Sequence, residues 1–437
     1  MEKKNAVAVS SSSTRVVSVD ALRGVVITLM IFVNDVAGVD RAPSWLRHVS
    51  ASFDGMTLPD VVFPAFLFLA GMSIPLSFSR AMDEGHSRRR LVRKVLGRTF
   101  ALLVMGVMMV NMEEYNPWFR GAWGLFAYVA MLAAFVVPPA KDHPRRQFFA
   151  VVRWVGIVAL LGLAFSYRTP TGEHLLLGPL FSPQETVWLV HHWWGILGLI
   201  GWAYLVAALV YLYLGHRREW LVGATALLML LSVAASSQYG TRLANRSWLD
   251  GVRPLVNAAQ TLLGWINGHV SIGSALGALA AITTAGCCLG TVLTSRSELQ
   301  SQQERMRWAA GFAAGLFIAA VLLDGAFGIN KIHATPTWCL LCAGITTVAW
   351  IFLSWRIDVH QHRALVRIVG PAGANPLLAY LLHPLLFMLA GLLNFPLGFY
   401  RSAGWPLPVS LAGSLAMALL VVQLTGSIAR TGYRLKV

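Results

Sequence analysis

The sequence predicts an all-α fold: a polytopic integral membrane helical bundle with about 11–12 transmembrane helices. Composition is the first reason, because 56% of the 437 residues are hydrophobic and 12% are charged, roughly half the charged fraction of a soluble domain. The second is a series of apolar segments of about 20 residues, the helix length that crosses a hydrocarbon layer. The third is an uneven distribution of Lys and Arg between the loops. Together they exclude an ordinary soluble enzyme.

Twelve apolar segments follow one another along the chain. The first twenty residues are polar and lack the apolar core of a signal peptide. We therefore expect residues 1–17 to be a cytoplasmic tail and residues 18–437 to be a single transmembrane domain. The third and fourth segments are the weakest, because only Asn111–Phe119 separates them. In chain order the predicted spans are 21–38, 58–79, 96–112, 120–138, 148–166, 194–214, 219–236, 268–294, 308–326, 337–355, 375–394 and 407–429.

The distribution of charge predicts the orientation. With the N-terminus in the cytoplasm and regular alternation, 26 of the 35 Lys and Arg residues lie on the cytoplasmic side, as the positive-inside rule requires. Ten of the 19 acidic residues lie outside with the other nine Lys and Arg residues, so the outer surface is nearly neutral. No soluble basic domain is present to bind nucleic acid. The net charge of +16 therefore indicates membrane orientation, and we expect the bilayer rather than nucleic acid as partner.

The first two spans carry the densest set of polar residues at membrane depth, where such residues are usually paired or functional. Asn34 ends the first span, His48 lies in the outer loop, and Asp60 begins the second span. An imidazole can deprotonate an ammonium, a carboxylate can hold its tautomer, and an amide can donate to a carbonyl oxygen that gains charge. This set suits acyl transfer to an amine or hydroxyl. The alternative is an interfacial loop histidine beside a helix-capping Asp60.

Three separated parts of the chain carry a resemblance to a known family. They are VSVDALRGVVITLMIFVND (17–35) with His48 and DGMTLPDVVFPAFLFLAGMSIPLS (54–77), then GINKIHATPTW (328–338), then GPAGANPLLAYLLHPLL (370–386). Their order resembles that of the heparan-α-glucosaminide N-acetyltransferase family, in particular its bacterial NagX-like branch. One departure is that His48 precedes Phe53 by five residues, where the family's compact form has three.

The resemblance implies a transmembrane N-acetyltransferase. Such an enzyme takes an acetyl group from cytoplasmic acetyl-CoA, its co-substrate, and transfers it to the amine of a glucosamine-type sugar on the periplasmic side of the bacterial inner membrane. Carried over by position, the expected catalytic residues are His48, Asp60 and Asn34. From their places in the chain we also expect two binding groups: CoA-binding Arg23, Asp20, Asn375 and His383, and acceptor-binding Asn330, Lys331 and Asp35. For His383 an interhelical hydrogen bond is the alternative role.

Two further patterns have two interpretations each. The basic cluster at 88–94 either contacts CoA phosphates or only sets orientation. The aromatic and acidic residues of 167–193 either bind an amino sugar or form an interfacial aromatic belt. Cys339 and Cys342 form a CxxC without a second pair, so we predict small apolar side chains and no metal site. A homodimer is left open.

Two other functions remain as alternatives. One is a twelve-span secondary transporter for amino sugars, although such folds usually show two similar halves and no second copy of the VDALRG…DGMTLPD block occurs in 219–437. The other is an O-acyltransferase of periplasmic glycans, because hydroxyl and amine acceptors need the same base.

Overall fold

The computed structural model describes residues 16–113, 122–139, 144–166, 195–236 and 253–435. Among these residues there is no β-strand, and one isolated bridge joins Val136 to Leu435. The predicted all-helical class is confirmed. The α-helices are α1 (Val17–Val36), α2 (Leu58–Asp83), α3 (Arg88–Glu113), α4 (Ala122–Ala134), α5 (Arg146–Ser166), α6 (Gly195–Leu214), α7 (Arg218–Ala235), α8 (Arg253–Val270), α9 (Ala280–Val292), α10 (Gln302–Phe327), α11 (Pro336–Ser354), α12 (Ala364–Ala374), α13 (Pro376–Leu392) and α14 (Leu407–Arg430).

In the described ranges, ten helices are long and apolar enough to cross a membrane. Two of them include a π-helical segment, Ile272–Leu279 before α9 and Trp355–Val359 after α11. The pair α12 and α13 passes the same criteria as one bent span, and α4 is a shorter apolar helix. Each of the twelve predicted segments falls on one of these helices. The polytopic bundle is therefore the observed architecture.

Two features differ from the predicted spans. The predicted span 375–394 continues backwards through α12, and the two helices are bent by 81° at Asn375. Pro376 starts α13, and a residue before proline is disfavoured in the helical conformation, so the break has a local cause. The other difference is α8, whose polar residues Asn257 and Asn267 kept it out of the apolar segments.

The connecting segments gather at two ends of the bundle. At one end, which we call the His48 end, Asp54 accepts a hydrogen bond from the Ile329 N–H and Asp40 donates its N–H to the Arg401 carbonyl. At the other, the Arg23 end, Asp83 pairs with Arg296. This grouping agrees with the regular alternation used to assign the loops. Which end faces the cytoplasm stays a prediction.

The centre of the bundle is packed through small residues. A Cβ built on Gly71 of α2 lies 1.9 Å from the Thr283 carbonyl oxygen, and one built on Gly286 of α9 lies 2.0 Å from the Phe68 carbonyl oxygen. Glycine therefore allows the two backbones to touch, as small residues do at interfaces between membrane helices. The contact fixes α2, whose first turn carries Asp60.

Gly286→Ala is expected to destabilise the protein by about 1–3 kcal/mol, because the added methyl overlaps a carbonyl oxygen of α2. Gly97→Ala is the matched control, since a Cβ there meets no atom within 4 Å and alanine favours the helix. Thermal unfolding of the two purified variants in detergent measures the difference. Equal melting temperatures would contradict the tight contact between α2 and α9.

Candidate active site

The loop between α1 and α2 brings His48 back to the start of α2. Val39, Ala42 and Leu46 are buried and pack with Val36 as a small apolar cluster. Leu46 ends a short 3-10 turn, and two residues later the His48 side chain is 55% exposed. The apolar cluster thus anchors the loop while the imidazole stays accessible.

Asp60 lies in the first turn of α2, and its side chain is 1% exposed. Its Oδ2 accepts a hydrogen bond from the Thr57 N–H at 3.1 Å and one from the Val49 N–H at 3.4 Å. Its Oδ1 lies 2.6 Å from His48 Nδ1. Thr57 and Asp60 also form a capping box. The same carboxylate therefore caps the helix and pairs with His48, so the two interpretations of Asp60 do not exclude each other.

This geometry assigns the tautomer of His48. A ring nitrogen 2.6 Å from a carboxylate oxygen must carry the shared proton, because two lone pairs would repel each other at that distance. Nδ1 therefore donates to Asp60, and Nε2 presents a lone pair when the ring is neutral. No group in the described part of the chain hydrogen-bonds to Nε2. His48 is thus oriented as a base or nucleophile.

Lys331 approaches the same pair from the segment between α10 and α11. Its Nζ lies 3.2 Å from His48 Nδ1 and 3.8 Å from Asp60 Oδ1. Since Nδ1 has already donated its proton to Asp60, the ammonium acts here as a neighbouring charge. Burial lowers the pKa of the Lys331 ammonium, and the Asp60 carboxylate opposes that effect. The Lys331 ammonium therefore partly offsets the negative charge of the Asp60 carboxylate.

Asn330 joins two loops. Its Nδ2 lies within hydrogen-bond distance of the Ser50, Ala51 and Phe53 carbonyl oxygens, at 3.1, 3.2 and 2.9 Å. Its Oδ1 accepts from the Ile332 N–H at 2.8 Å. The side chain is buried, and these contacts hold the segment that carries Lys331 against the segment that follows His48. The expected contact of Asn330 with an acceptor stays a prediction.

A cavity of about 380 Å³ opens between the end of α1 and the His48 loop. Asn34 and His48 both line it, and Asn34 is exposed. Two of the three predicted catalytic residues therefore face one space, with Asp60 directly behind the imidazole. The remaining lining residues are Val33, Ala37, Gly38, Val39, Asp40, Leu46, Arg47 and Pro59.

Asp35, next to Asn34, points away into the protein and is completely buried. Its carboxylate accepts hydrogen bonds from Tyr400 OH at 3.0 Å and Arg401 Nη2 at 2.5 Å, and lies 3.0 Å from His383 Nε2. The Arg401 guanidinium also lies over the Phe387 ring, 3.8 Å from its centroid. In this conformation Asp35 has no surface for an acceptor, so its predicted substrate contact stays a prediction. His383 makes the interhelical hydrogen bond considered above, although its expected role with CoA is untested.

The Arg23 end is also built on α1. Arg23 donates to Asp20 Oδ1 at 2.9 Å, to Ser73 Oγ at 2.6 Å and to the Gly373 carbonyl at 3.3 Å. A Cβ on Gly373 would lie 2.1 Å from the Asp20 carbonyl oxygen, so α1 and α12 are in backbone contact. These bonds tie the guanidinium to three helices.

Asn375 lies at the bend between α12 and α13. It is 3% exposed, and neither its Nδ2 nor its Oδ1 has a hydrogen-bond partner within the described residues. A cavity of about 480 Å³ lies beside the preceding turn and is lined by Asp20, Arg430 and Ala374, among others. Burying an amide without partners is costly, which makes this region a candidate for ligand binding.

The structure thus sorts the predicted residues into two ends. His48, Asp60, Asn34, Lys331 and Asn330 meet at the His48 end, whereas Arg23, Asp20 and Asn375 lie towards the Arg23 end, and His383 joins Asp35. The basic cluster that begins α3 is exposed, and the segment 167–193 lies outside the described residues. Sequence reasoning missed three residues that complete the site and for which no motif gave a signal: Asp40, Tyr400 and Arg401. Thr57 belongs to the DGMTLPD segment but was not singled out.

Asp60→Asn is expected to lower the acetyl transfer that the sequence predicts by about 10²- to 10⁴-fold. The two backbone N–H groups at Oδ2 require an acceptor there, so the amide carbonyl takes that position and the NH₂ faces His48 Nδ1. The neutral ring then carries its proton on Nε2, which no longer has a free lone pair. Initial rates of CoA release measure the loss.

Asp54→Asn is the matched control for this variant. Asp54 Oδ1 accepts the Ile329 N–H at 2.7 Å, a role that an amide oxygen can also take. Its rate should stay within about threefold of the parent protein. Equal losses in the two variants would argue against a tautomer effect.

Comparison with known proteins agrees with the resemblance. Residues 15–168 match a family described as Domain of unknown function (DUF5009). The chain is 39% identical over 102 residues to heparan-alpha-glucosaminide N-acetyltransferase of Mus musculus, and 40% identical over 103 residues to that of Homo sapiens. Each alignment covers 23% of this chain and 15% of the relative, so the match spans a small part of those proteins. The predicted resemblance is confirmed for this part of the chain.

Proposed function

We propose that the protein is a membrane acetyltransferase, because part of the chain is similar in sequence to the heparan-α-glucosaminide N-acetyltransferases. It moves an acetyl group from cytoplasmic acetyl-CoA to the amine of a glucosamine-type sugar on the opposite, periplasmic side of a bacterial inner membrane. The N-terminus is cytoplasmic, and the His48 end faces the periplasm. A homodimer would be compatible with this function but is not needed for it.

One observation carries the proposal. His48 Nδ1 is held 2.6 Å from the buried Asp60 carboxylate, and the ring lines a cavity that Asn34 shares. A base oriented by a carboxylate, next to an amide donor, is the arrangement that acyl transfer needs. The pair lies within residues 15–168, the part of the chain that matches the domain of unknown function.

The reaction can proceed directly. His48 Nε2 takes a proton from the acceptor amine, whose nitrogen attacks the thioester carbonyl carbon. The Asn34 amide donates to the oxygen that gains charge. The C–S bond then breaks, and the CoA thiolate takes the proton from His48. Alternatively, Nε2 attacks first and forms an acetyl-histidine, which the amine then cleaves. Mass spectrometry of the His48 peptide after mixing with acetyl-CoA alone distinguishes the two routes.

The proposed binding of acetyl-CoA rests on residues at the Arg23 end. Arg23 and Asn34 lie on the same helix, eleven residues or about 16 Å apart. The cavity of about 480 Å³ beside Asp20 and Arg430 supplies space at the Arg23 end. Arginine groups at this end suit CoA phosphates. The unpartnered Asn375 amide can pair with an amide of the pantetheine arm, which offers one donor and one acceptor.

Purified protein in detergent, given acetyl-CoA and glucosamine, tests the function. We expect release of free CoA and formation of N-acetylglucosamine. When N-acetylglucosamine replaces glucosamine as acceptor, CoA release should stop, because that sugar has no free amine. Release with both sugars would favour the O-acyltransferase, and no release with either would favour the transporter.

The orientation has its own test. The four native cysteines, Cys287, Cys288, Cys339 and Cys342, are all buried. Single cysteines introduced by Ala51→Cys at the His48 end and Ser87→Cys at the Arg23 end can therefore be labelled selectively in intact cells. A membrane-impermeant maleimide should label the first and not the second. The opposite pattern would refute the proposed sidedness.

The transporter alternative draws support from one feature. The bend of 81° between α12 and α13 resembles the discontinuous helices that bind substrates in secondary transporters. Uptake of labelled glucosamine into proteoliposomes, with acetyl-CoA absent, measures this activity directly. We expect none above the empty-vesicle background.

A further inference from the structure

We propose that Asp40 binds the ammonium of the acceptor and so selects amines over hydroxyl compounds. This inference rests on the proposed function and names the substrate class of the same site. It starts from the charges that line the cavity at the His48 end, where Asp40 is the one carboxylate among the lining residues. A cationic acceptor that enters the cavity meets this carboxylate and His48 in the same space.

The two buried acids of this region are already engaged. Asp35 is completely buried among Tyr400, Arg401 and His383. Asp60 is buried and divided between His48 and two backbone N–H groups. Neither carboxylate lines the cavity. Asp40, in contrast, is exposed, so it can receive a ligand without breaking a buried ion pair.

The Asp40 carboxylate is also held in place. Its Oδ2 accepts the Ala403 N–H at 2.8 Å, and its own N–H donates to the Arg401 carbonyl at 3.1 Å. Oδ1 has no hydrogen-bond partner in the part of the chain that the structure describes. One oxygen thus orients the group, and the other remains available to an ammonium.

Arg47 is the one Arg or Lys among the residues that line the cavity. Its Nη2 donates to the Asp40 main-chain carbonyl at 2.9 Å, so this contact does not use the carboxylate. An ammonium between Asp40 and His48 Nε2 would be bound as a cation and would lose one proton through the imidazole to solvent, which leaves the neutral amine. The second proton leaves through His48 to the CoA thiolate when the amide forms. A hydroxyl acceptor has no charge for Asp40 to recognise, which gives the site its preference.

Asp40→Asn tests the inference, because the amide oxygen can still accept the Ala403 N–H while the charge is lost. We expect the KM for glucosamine to rise by about 10- to 100-fold, the range of a charged hydrogen bond. The KM for acetyl-CoA should change little. Transfer to hydroxylamine, which is uncharged at neutral pH, should change by less than about threefold. Asp40→Glu should recover part of the loss.

A binding measurement separates this inference from the proposed function. Calorimetric titration of glucosamine into the parent protein and the Asp40→Asn variant reports affinity without any turnover. Weakened binding in the variant supports Asp40 as the amine anchor, even if neither protein releases CoA and the acetyltransferase proposal fails. Equal affinities, or equal KM increases for glucosamine and hydroxylamine, would overturn the role of Asp40. Asp54→Asn is the control, since Asp54 does not line the cavity.

Discussion

His48→Ala is expected to abolish acetyl transfer while acetyl-CoA binding remains measurable. The variant removes the imidazole that lines the cavity, and in the described residues no other histidine lines that cavity. General-base catalysis typically contributes about 10²- to 10⁴-fold, and loss of a nucleophile costs at least as much. CoA release measures the activity, and calorimetry measures the binding of acetyl-CoA.

The control for His48→Ala is His333→Ala. The His333 ring also lies at the His48 end, where Nε2 is 3.1 Å from the Ala51 carbonyl oxygen, but it does not line the cavity. Its removal should lower the rate by no more than about threefold. Full activity of His48→Ala would end the assignment of His48 as the catalytic residue. A large loss in both variants would point to the loop conformation instead.

The helices could be predicted because each depends on local hydrophobicity. A segment of about 20 apolar residues is stable in a membrane only as a helix, so the spans do not depend on distant contacts. The bend at Asn375 has a local cause in Pro376, but sequence alone does not reveal whether such a proline bends a span or begins one. The helix α8 alternates polar and apolar residues, so a search for uniformly apolar segments does not find it.

The candidate site likewise contains residues that sequence reasoning could find and residues that it could not. The His48–Asp60 pair is separated by 12 residues, and the ends of two consecutive helices bring it together, so sequence reasoning could find it. Asp35 depends on Tyr400, which is 365 residues away, and no spacing rule connects the two. The sequence predicts that Asn34 and Asp35 belong to the same site. In the structure Asn34 lines the cavity, whereas Asp35 points into the protein. Asp40 gave no signal because an exposed acid in a loop is common.

The contacts of Arg401 with Asp35, Asp40 and Gly38 also hold the wall of the cavity. The segment that lines the cavity, 37–40, is held by Arg401 and Ala403, which lie between α13 and α14. Arg401 bonds Asp35 through its side chain and Asp40 through its carbonyl oxygen, and its guanidinium packs against Gly38. The curated relatives align over 102 and 103 residues, yet the wall of the site also depends on residues near the C-terminus.

Arg401→Met should destabilise the protein by about 3–5 kcal/mol, because it leaves the completely buried Asp35 without its cation. Removing the charge as well, in Asp35→Asn with Arg401→Met, should recover most of the loss. In that double variant the side-chain amide carbonyl at position 35 can still accept from Tyr400. Thermal unfolding in detergent compares the stability of the parent protein, Arg401→Met and the double variant under the same conditions.

Arg296→Met supplies the matched comparison, since it breaks an Arg–Asp pair of similar length. The Arg296–Asp83 contact is 2.6 Å, but its side chains are 43% and 49% exposed, whereas Asp35 is fully buried. Exposed pairs contribute about 0–1 kcal/mol, so this variant should unfold near the parent temperature. Equal stability of Arg401→Met and Arg296→Met would mean that Asp35 becomes protonated or reaches solvent when Arg401 is removed. A double variant no more stable than Arg401→Met would assign the effect to packing over Phe387 and Gly38 instead, because charge removal would then bring no recovery.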